Sequence, residues 1–328
     1  MFPTFCVFLQ KNRHEIVMEQ IVKRENRNYW MGWAIIFIML CHVQYTCFDN
    51  SIFMKVLRFL FKKGEFGVDV FLFLSIIGLC YSYENNTIKD FYINRIRRLF
   101  PMYFVFLCLS FVFFKSNQHI VKDVILQITG LSNFMGNQFD EWFIPAIILI
   151  YAFFPLLFLV VKWLCEKKIM ISVAVVFLLI YSYVLLKNYI TPYFACRLYL
   201  IPLGIVVYQI HQEKVSGNYT YILLVVALIQ LFIPPEFRMY LYVPLLLVLS
   251  DKLFPILPLF SVVSWIGKHS LDIYLGQTLG IIYYCGHTVY ATGIKLPIGI
   301  MITIISAALL YWTHSFFHRI IQYKLTRS

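Results

Sequence analysis

Charged residues are scarce in this chain of 328 residues, at 13% against about 25% in a typical soluble domain. Hydrophobic residues instead make up 61% and aromatic residues 19% of the chain, and its mean hydropathy is +0.75. Apolar runs recur with lengths near the roughly 20 residues that a helix needs to cross a bilayer. The composition excludes a soluble globule and predicts an all-α polytopic membrane protein.

Other patterns are missing as well. The strict alternation of polarity that a porin-like barrel requires does not occur. The 8 cysteines are scattered singly, without a C-x-x-C pair or zinc-ligand spacing, and are interpreted as apolar packing residues. His314 and His318 are four positions apart but lack an acidic or cysteine partner, so no metal site is predicted.

Basic residues outnumber acidic residues, 28 to 16, which gives a net charge of +12. Most of them lie in short loops between apolar segments, a pattern that suits membrane topology and lipid headgroups better than nucleic acid. The distribution of Lys and Arg places both termini of a multi-pass cell-membrane protein in the cytoplasm. The expected partner is the lipid bilayer, and the oligomeric state is left undetermined.

Hydropathy predicts a single bundle of about ten transmembrane helices. The expected organisation is a cytoplasmic N-terminal segment at 1–29, a membrane domain at 30–323 and a cytoplasmic tail at 324–328. The apolar spacing of Ile52–Phe61 fits either an amphipathic helix in the membrane interface or a basic loop beside headgroups. The predicted spans are 30–47, 65–83, 100–114, 142–161, 169–186, 194–210, 219–234, 236–250, 269–286 and 297–318.

Ionisable side chains at membrane depth are costly and therefore mark candidate functional positions: His42, Asp69, Arg197 and Asp272. His42 follows Trp30 by about 18 Å of helix, which places it past mid-depth. A neutral imidazole there suits a general base, but a buried histidine bonded to a neighbouring helix fits equally well.

Arg95 and Arg98 form a second candidate site. Being three positions apart, they share a face if the segment is helical, and guanidinium groups match phosphate oxygens. The pair therefore suits a phosphorylated cofactor, although a basic cluster beside a span also acts as a topology anchor.

The segment Arg95-x-x-Arg98-x-x-Pro101 resembles the R-x-x-R-x-x-P loop of the membrane acyltransferase-3 family, whose members O-acylate surface and secreted carbohydrates. Four further blocks are similar to family motifs in the same order, and the resemblance covers roughly residues 28–323. These blocks are the span ending at His42, Gly67–Ser75, Trp142–Pro145 and Gly267–Leu275.

The resemblance implies an O-acyltransferase, in particular an O-acetyltransferase, that uses cytoplasmic acetyl-CoA or another acyl-CoA. Arg95 and Arg98 would hold the donor, and His42 would activate an acceptor hydroxyl on a polysaccharide or lipid-linked glycan. Asp69 is expected to orient the imidazole of His42, or else to cap the N-terminus of its span.

Acceptor binding is assigned to Trp142, Glu141 and Arg197, with interfacial anchoring as the alternative for Trp142. Asp272 is expected to pair with Arg197 across the bundle. A transporter or exporter of a small solute or lipid-linked sugar is the alternative function, although the paired broken helices of transporters are not recognisable.

Because of three departures from the family pattern, the chain could instead be a catalytically inactive member, and this alternative stays open. Met31 stands where the family has Arg or Lys, although Arg27 lies one helical turn earlier. Ala146 begins an apolar stretch where many members have a glutamate, and Gln277 replaces a second histidine.

Overall fold

The protein is all-α in the part of the chain that the computed structural model describes, namely residues 24–43, 52–113, 120–134, 141–166, 192–212, 218–232, 240–253, 259–285 and 295–325. This confirms the predicted fold class. In chain order the helices are α1 (Arg24–Val43), α2 (Ile52–Lys62), α3 (Phe66–Glu84), α4 (Ile88–Phe113), α5 (Ile120–Thr129), α6 (Phe143–Glu166), α7 (Pro192–Ala195), α8 (Leu200–His211), α9 (Tyr219–Ile229), α10 (Val243–Leu253), α11 (Phe260–Lys268), α12 (Ser270–Gln277) and α13 (Lys295–Leu325).

Within these described ranges, five helical stretches are long and apolar enough to cross a membrane. The chain is therefore a polytopic membrane protein, while the number ten stays a prediction. The predicted span 169–186 lies outside the described residues. The five stretches are Lys55–Glu84, Ile88–Phe113, Phe143–Glu166, Tyr193–His211 and Leu296–Phe317.

Two predicted spans correspond to short helices. Both α9 and α10 have 11 residues, about half the length needed to cross the hydrocarbon core. The predicted span 269–286 is also divided: α12 continues into a π-helical segment, Thr278–Tyr284.

The segment around Ile52 is helical, which excludes the loop alternative, while its position in the membrane interface stays a prediction. It forms α2 and continues through the 3-10 turn Lys63–Glu65 into α3. Val56, Phe59 and Leu60 are exposed on α2, so this helix has an apolar surface available to lipid.

Glycines let α1 and α11 cross with their backbones in contact. A Cβ on Gly32 would collide with the carbonyl oxygen of Val263, and one on Gly267 would collide with the carbonyl oxygen of Asn28. Small residues commonly permit such close approach between membrane helices. This crossing fixes the start of α12 beside α1, so Gln277 at the end of α12 reaches His42 at the end of α1.

Further helices pack around α1 and α12. Helix α3 packs against α1 and α8, while α8 also packs against α6. Helix α13 packs along α12, the π-helical segment and α4. The candidate site lies between α1, α3, α4, α6 and α12.

Candidate active site

Three arginines line one cavity of about 210 Å³, which we call the arginine cavity: Arg27 from α1 and both Arg95 and Arg98 from α4. Its further lining is largely apolar and includes Met31, Phe71, Phe143, Ile144, Ile147 and Tyr274. A ligand with an anionic end and a less polar arm matches this division of charge.

The arginine cavity confirms that Arg95 and Arg98 share a face of their helix. The guanidinium carbon of Arg95 lies 5.3 Å from the ring centre of Phe91 and 5.8 Å from that of Tyr151. Its buried Nε has no hydrogen-bond partner among the described residues. The two rings therefore position the guanidinium at the cavity wall, where its charge suits an anionic group.

Among the three arginines of the cavity, Arg27 is the one that the sequence indicated least clearly. It lines the arginine cavity one turn of α1 before Met31, which lines it too. Its Nη2 lies so close to Gly78 that a Cβ there would be only 3.1 Å away. Arg27 therefore supplies a third guanidinium to the cavity that Met31 also lines.

A buried polar cluster around Glu141 adjoins the inner wall of the arginine cavity. The hydroxyl of Tyr274, which lines the cavity, lies 3.4 Å from Glu141 Oε1, and that of Thr278 lies 3.4 Å from Oε2. The N–H of Ile144 also donates to Glu141 at 3.2 Å. Glu141 therefore joins the start of α6 to α12 from a fully buried position.

His42 does not line the arginine cavity, but it contacts α12 one turn beyond the lining residue Tyr274. Its Nδ1 lies 3.1 Å from the amide oxygen of Gln277, a fully buried residue one helical turn after Tyr274. An amide oxygen only accepts, so this contact fits the tautomer in which Nδ1 carries the proton. The Nε2 of the neutral ring is then the atom with a lone pair, as a general base requires.

Asp69 does not orient His42, so the sequence interpretation was wrong on this point. Its fully buried carboxylate accepts from the Nε of Arg197 at 3.1 Å and from the Tyr199 hydroxyl at 3.2 Å. The physical reason is electrostatic: a carboxylate inside the bundle is stabilised by the adjacent guanidinium. The imidazole of His42 contacts Gln277.

The predicted pair between Arg197 and Asp272 is wrong as well, because Asp272 bonds to Nδ1 of His269 at 3.4 Å. Besides binding Asp69, Arg197 donates to the carbonyl oxygens of Tyr193 and Glu65. These bonds tie the start of α8 to the start of α3.

Trp142 and Arg197 do come together. The Arg197 guanidinium lies 5.6 Å from the Trp142 ring, which stacks on Tyr193 with their centres 6.0 Å apart. Acceptor binding by Trp142, Glu141 and Arg197 stays a prediction.

The fold and site define a polytopic helical membrane protein with a basic cavity beside a histidine and a buried carboxylate. A family model described as an acyltransferase domain, that of the acyltransferase-3 family, matches residues 28–313. The chain belongs to this family and is a membrane acyltransferase. Comparisons with curated proteins and with solved structures gave no match.

Proposed function

We propose that the protein is an O-acyltransferase that transfers an acetyl group from cytoplasmic acetyl-CoA to a hydroxyl of a surface polysaccharide or lipid-linked glycan. One observation carries this proposal: three arginines line a cavity whose wall residue Tyr274 is one helical turn from the Gln277–His42 pair. The proposed protein resides in the cell membrane. Its arginine cavity opens to the cytoplasm, and both termini lie on that side.

The donor would bind with its phosphates at the arginines. Arg27, Arg95 and Arg98 offer charge-assisted hydrogen bonds to phosphate oxygens. The pantetheine arm would follow the apolar wall at Phe71 and Phe143, which directs the thioester towards Tyr274 and Gln277.

The transfer itself uses His42 as the general base. Its Nε2 removes the proton of the acceptor hydroxyl while the oxygen attacks the thioester carbonyl. The C–S bond then breaks, the acyl ester forms, and the imidazolium returns the proton to the sulfur of coenzyme A. Gln277 keeps Nδ1 protonated in the resting state, so that Nε2 faces the reaction as the acceptor.

The donor site is tested by measuring acetyl-CoA binding to purified protein carrying Arg95→Ala or Arg98→Ala. Hydrogen bonds to charged groups contribute about 1.5–3 kcal/mol, so each substitution should weaken binding about tenfold or more. Arg97→Ala is the matched control, because Arg97 is exposed on the same helix and lies outside the cavity lining. Equal affinities for all four proteins would contradict the donor site.

Gln277 is expected to be a positioning residue. Replacement by leucine removes the acceptor for Nδ1–H and should lower kcat about 10²-fold through loss of ring orientation, with little change in acetyl-CoA affinity. Gln277→Glu retains an acceptor oxygen and should recover most of the activity. A purely structural role would make both variants fail alike, in both kcat and thermal stability.

A further inference from the structure

Three basic residues follow one side of helix α2, and we call them the basic row: Lys55, Arg58 and Lys62. They are separated by three and four positions, so they lie within about 60° of one another around the helix axis. The sequence has no acidic residue from Ile52 to Gly64. Lys55 and Lys62 are exposed, and neither forms an ion pair within the described part of the chain. Their charges are therefore open to a ligand from outside the protein.

An apolar surface adjoins the basic row. Val56, Phe59 and Leu60 of α2 are 53%, 63% and 56% exposed. The ammonium nitrogen of Lys63 lies 5.6 Å from the centre of the Phe59 ring, so positive charge and exposed hydrocarbon meet on the same helix. An amphipathic helix of this kind lies in the plane of a membrane interface, because its apolar side chains would otherwise face water.

The length of the following span places α2 at such an interface. Together with α3 it forms the helical stretch Lys55–Glu84 of 30 residues, which is about 45 Å of helix against about 30 Å of hydrocarbon. Glu84 and Asn85 are exposed at the far end of α3 and mark one edge of the hydrocarbon. The 19 residues of α3 cover about 28 Å from that edge. Helix α2 therefore lies beyond the opposite edge.

Helix α2 is attached to the end of α1 that is remote from the arginine cavity. The Sγ of Cys41 donates to the carbonyl oxygen of Lys62 at 3.7 Å, and a Cβ on Gly64 would collide with the carbonyl oxygen of Phe37. About 21 Å of helix separates Cys41 from Arg27, which lines the arginine cavity. Basic residues that only fix topology collect on the cytoplasmic side, so topology explains at most one of these two basic clusters.

We propose that α2 is a docking surface for anionic phospholipids. The lipid phosphates accept hydrogen bonds from the basic row, and the acyl chains pack against Val56, Phe59 and Leu60. A negative headgroup joined to hydrocarbon matches the adjoining charged and apolar surfaces of α2, whereas the ammonium group of a zwitterionic lipid is repelled by the basic row. This proposal rests on α2 alone and is independent of the reaction assigned to the arginine cavity.

Site-specific photo-crosslinking of the full chain tests the proposal. The photoreactive residue p-benzoylphenylalanine is placed at Phe59 in one protein and at Phe104 in the matched control. Phe104 is 58% exposed on α4 and has no Lys or Arg within one helical turn. Both proteins are reconstituted with equal amounts of phosphatidylglycerol and phosphatidylcholine, and mass spectrometry identifies the attached lipid. Because each basic residue near a membrane surface favours an anionic lipid about fivefold, position 59 should be enriched in phosphatidylglycerol by at least this factor, and position 104 should not.

The double variant Lys55→Gln with Lys62→Gln tests the basic row itself. It should lower the enrichment at position 59 about fivefold or more, with an unchanged unfolding midpoint because both lysines are exposed. Lys89→Gln with Lys122→Gln removes two exposed lysines from α4 and α5 and should leave the enrichment unchanged. The proposal would be overturned by equal lipid ratios at positions 59 and 104, by the absence of lipid attachment at position 59, or by enrichment that persists without Lys55 and Lys62.

Discussion

Replacing His42 by alanine is expected to lower kcat for acyl transfer by about 10²–10⁴-fold, the usual contribution of a general base. Acetyl-CoA binding should change little, because His42 is absent from the lining of the arginine cavity. The reaction can be followed with membranes containing the protein and radiolabelled acetyl-CoA, by counting the label that enters the glycan fraction.

The matched control for this variant is His211→Ala. His211 also lies in the last turn of a helix, α8, but its ring packs against Tyr219, in a contact that involves neither Gln277 nor the arginine cavity. Full acyl transfer by the His42 variant would remove the general-base assignment. An equal loss in both variants would point to general destabilisation instead.

Arg197→Met should destabilise the folded protein by about 3–5 kcal/mol, since it leaves the carboxylate of Asp69 buried without its counter-charge. The Arg197 side chain is 1% exposed and that of Asp69 0% exposed, so water cannot compensate for the lost partner. Thermal unfolding of the purified protein in detergent should show a markedly lower midpoint, while Arg97→Met on exposed α4 surface should leave the midpoint nearly unchanged.

The double variant Asp69→Leu with Arg197→Met separates charge pairing from packing. Removing both charges relieves the unpaired carboxylate, so the double variant should be more stable than Arg197→Met alone. If Arg197→Met instead unfolds at the wild-type temperature but loses acyl transfer, then acceptor binding explains Arg197 better than its ion pair does.

Much of the arginine cavity could be predicted from local spacing. Arg95 and Arg98 are three positions apart, and in a helix this separation places two side chains on one face whatever the rest of the fold does. Arg27 was harder to recognise, because the family pattern directs attention to position 31. Its role follows from α3, whose Gly78 leaves room for the guanidinium.

The partners of the buried charges could not be predicted from spacing. Asp69 and Arg197 are separated by 128 positions, and His42 and Gln277 by 235. Sequence reasoning paired each ionisable group with the nearest suitable group in an assumed bundle, so Asp69 was assigned to His42 and Asp272 to Arg197. Both choices were wrong because the packing of a helix decides which neighbouring helix each of its side chains faces.

The sequence by itself determined the class of the protein, its helical nature and the shared face of Arg95 and Arg98. Hydropathy and helical periodicity are local properties, and a bilayer permits few structures for so apolar a chain. Only the tertiary structure decided that Gln277 bonds to His42, that Asp69 neutralises Arg197 and that Asp272 pairs with His269. The Gln277–His42 contact depends on the close crossing of α1 and α11 at Gly32 and Gly267, after which α12 begins beside α1. The Asp69–Arg197 pair depends instead on the packing of α3 against α8.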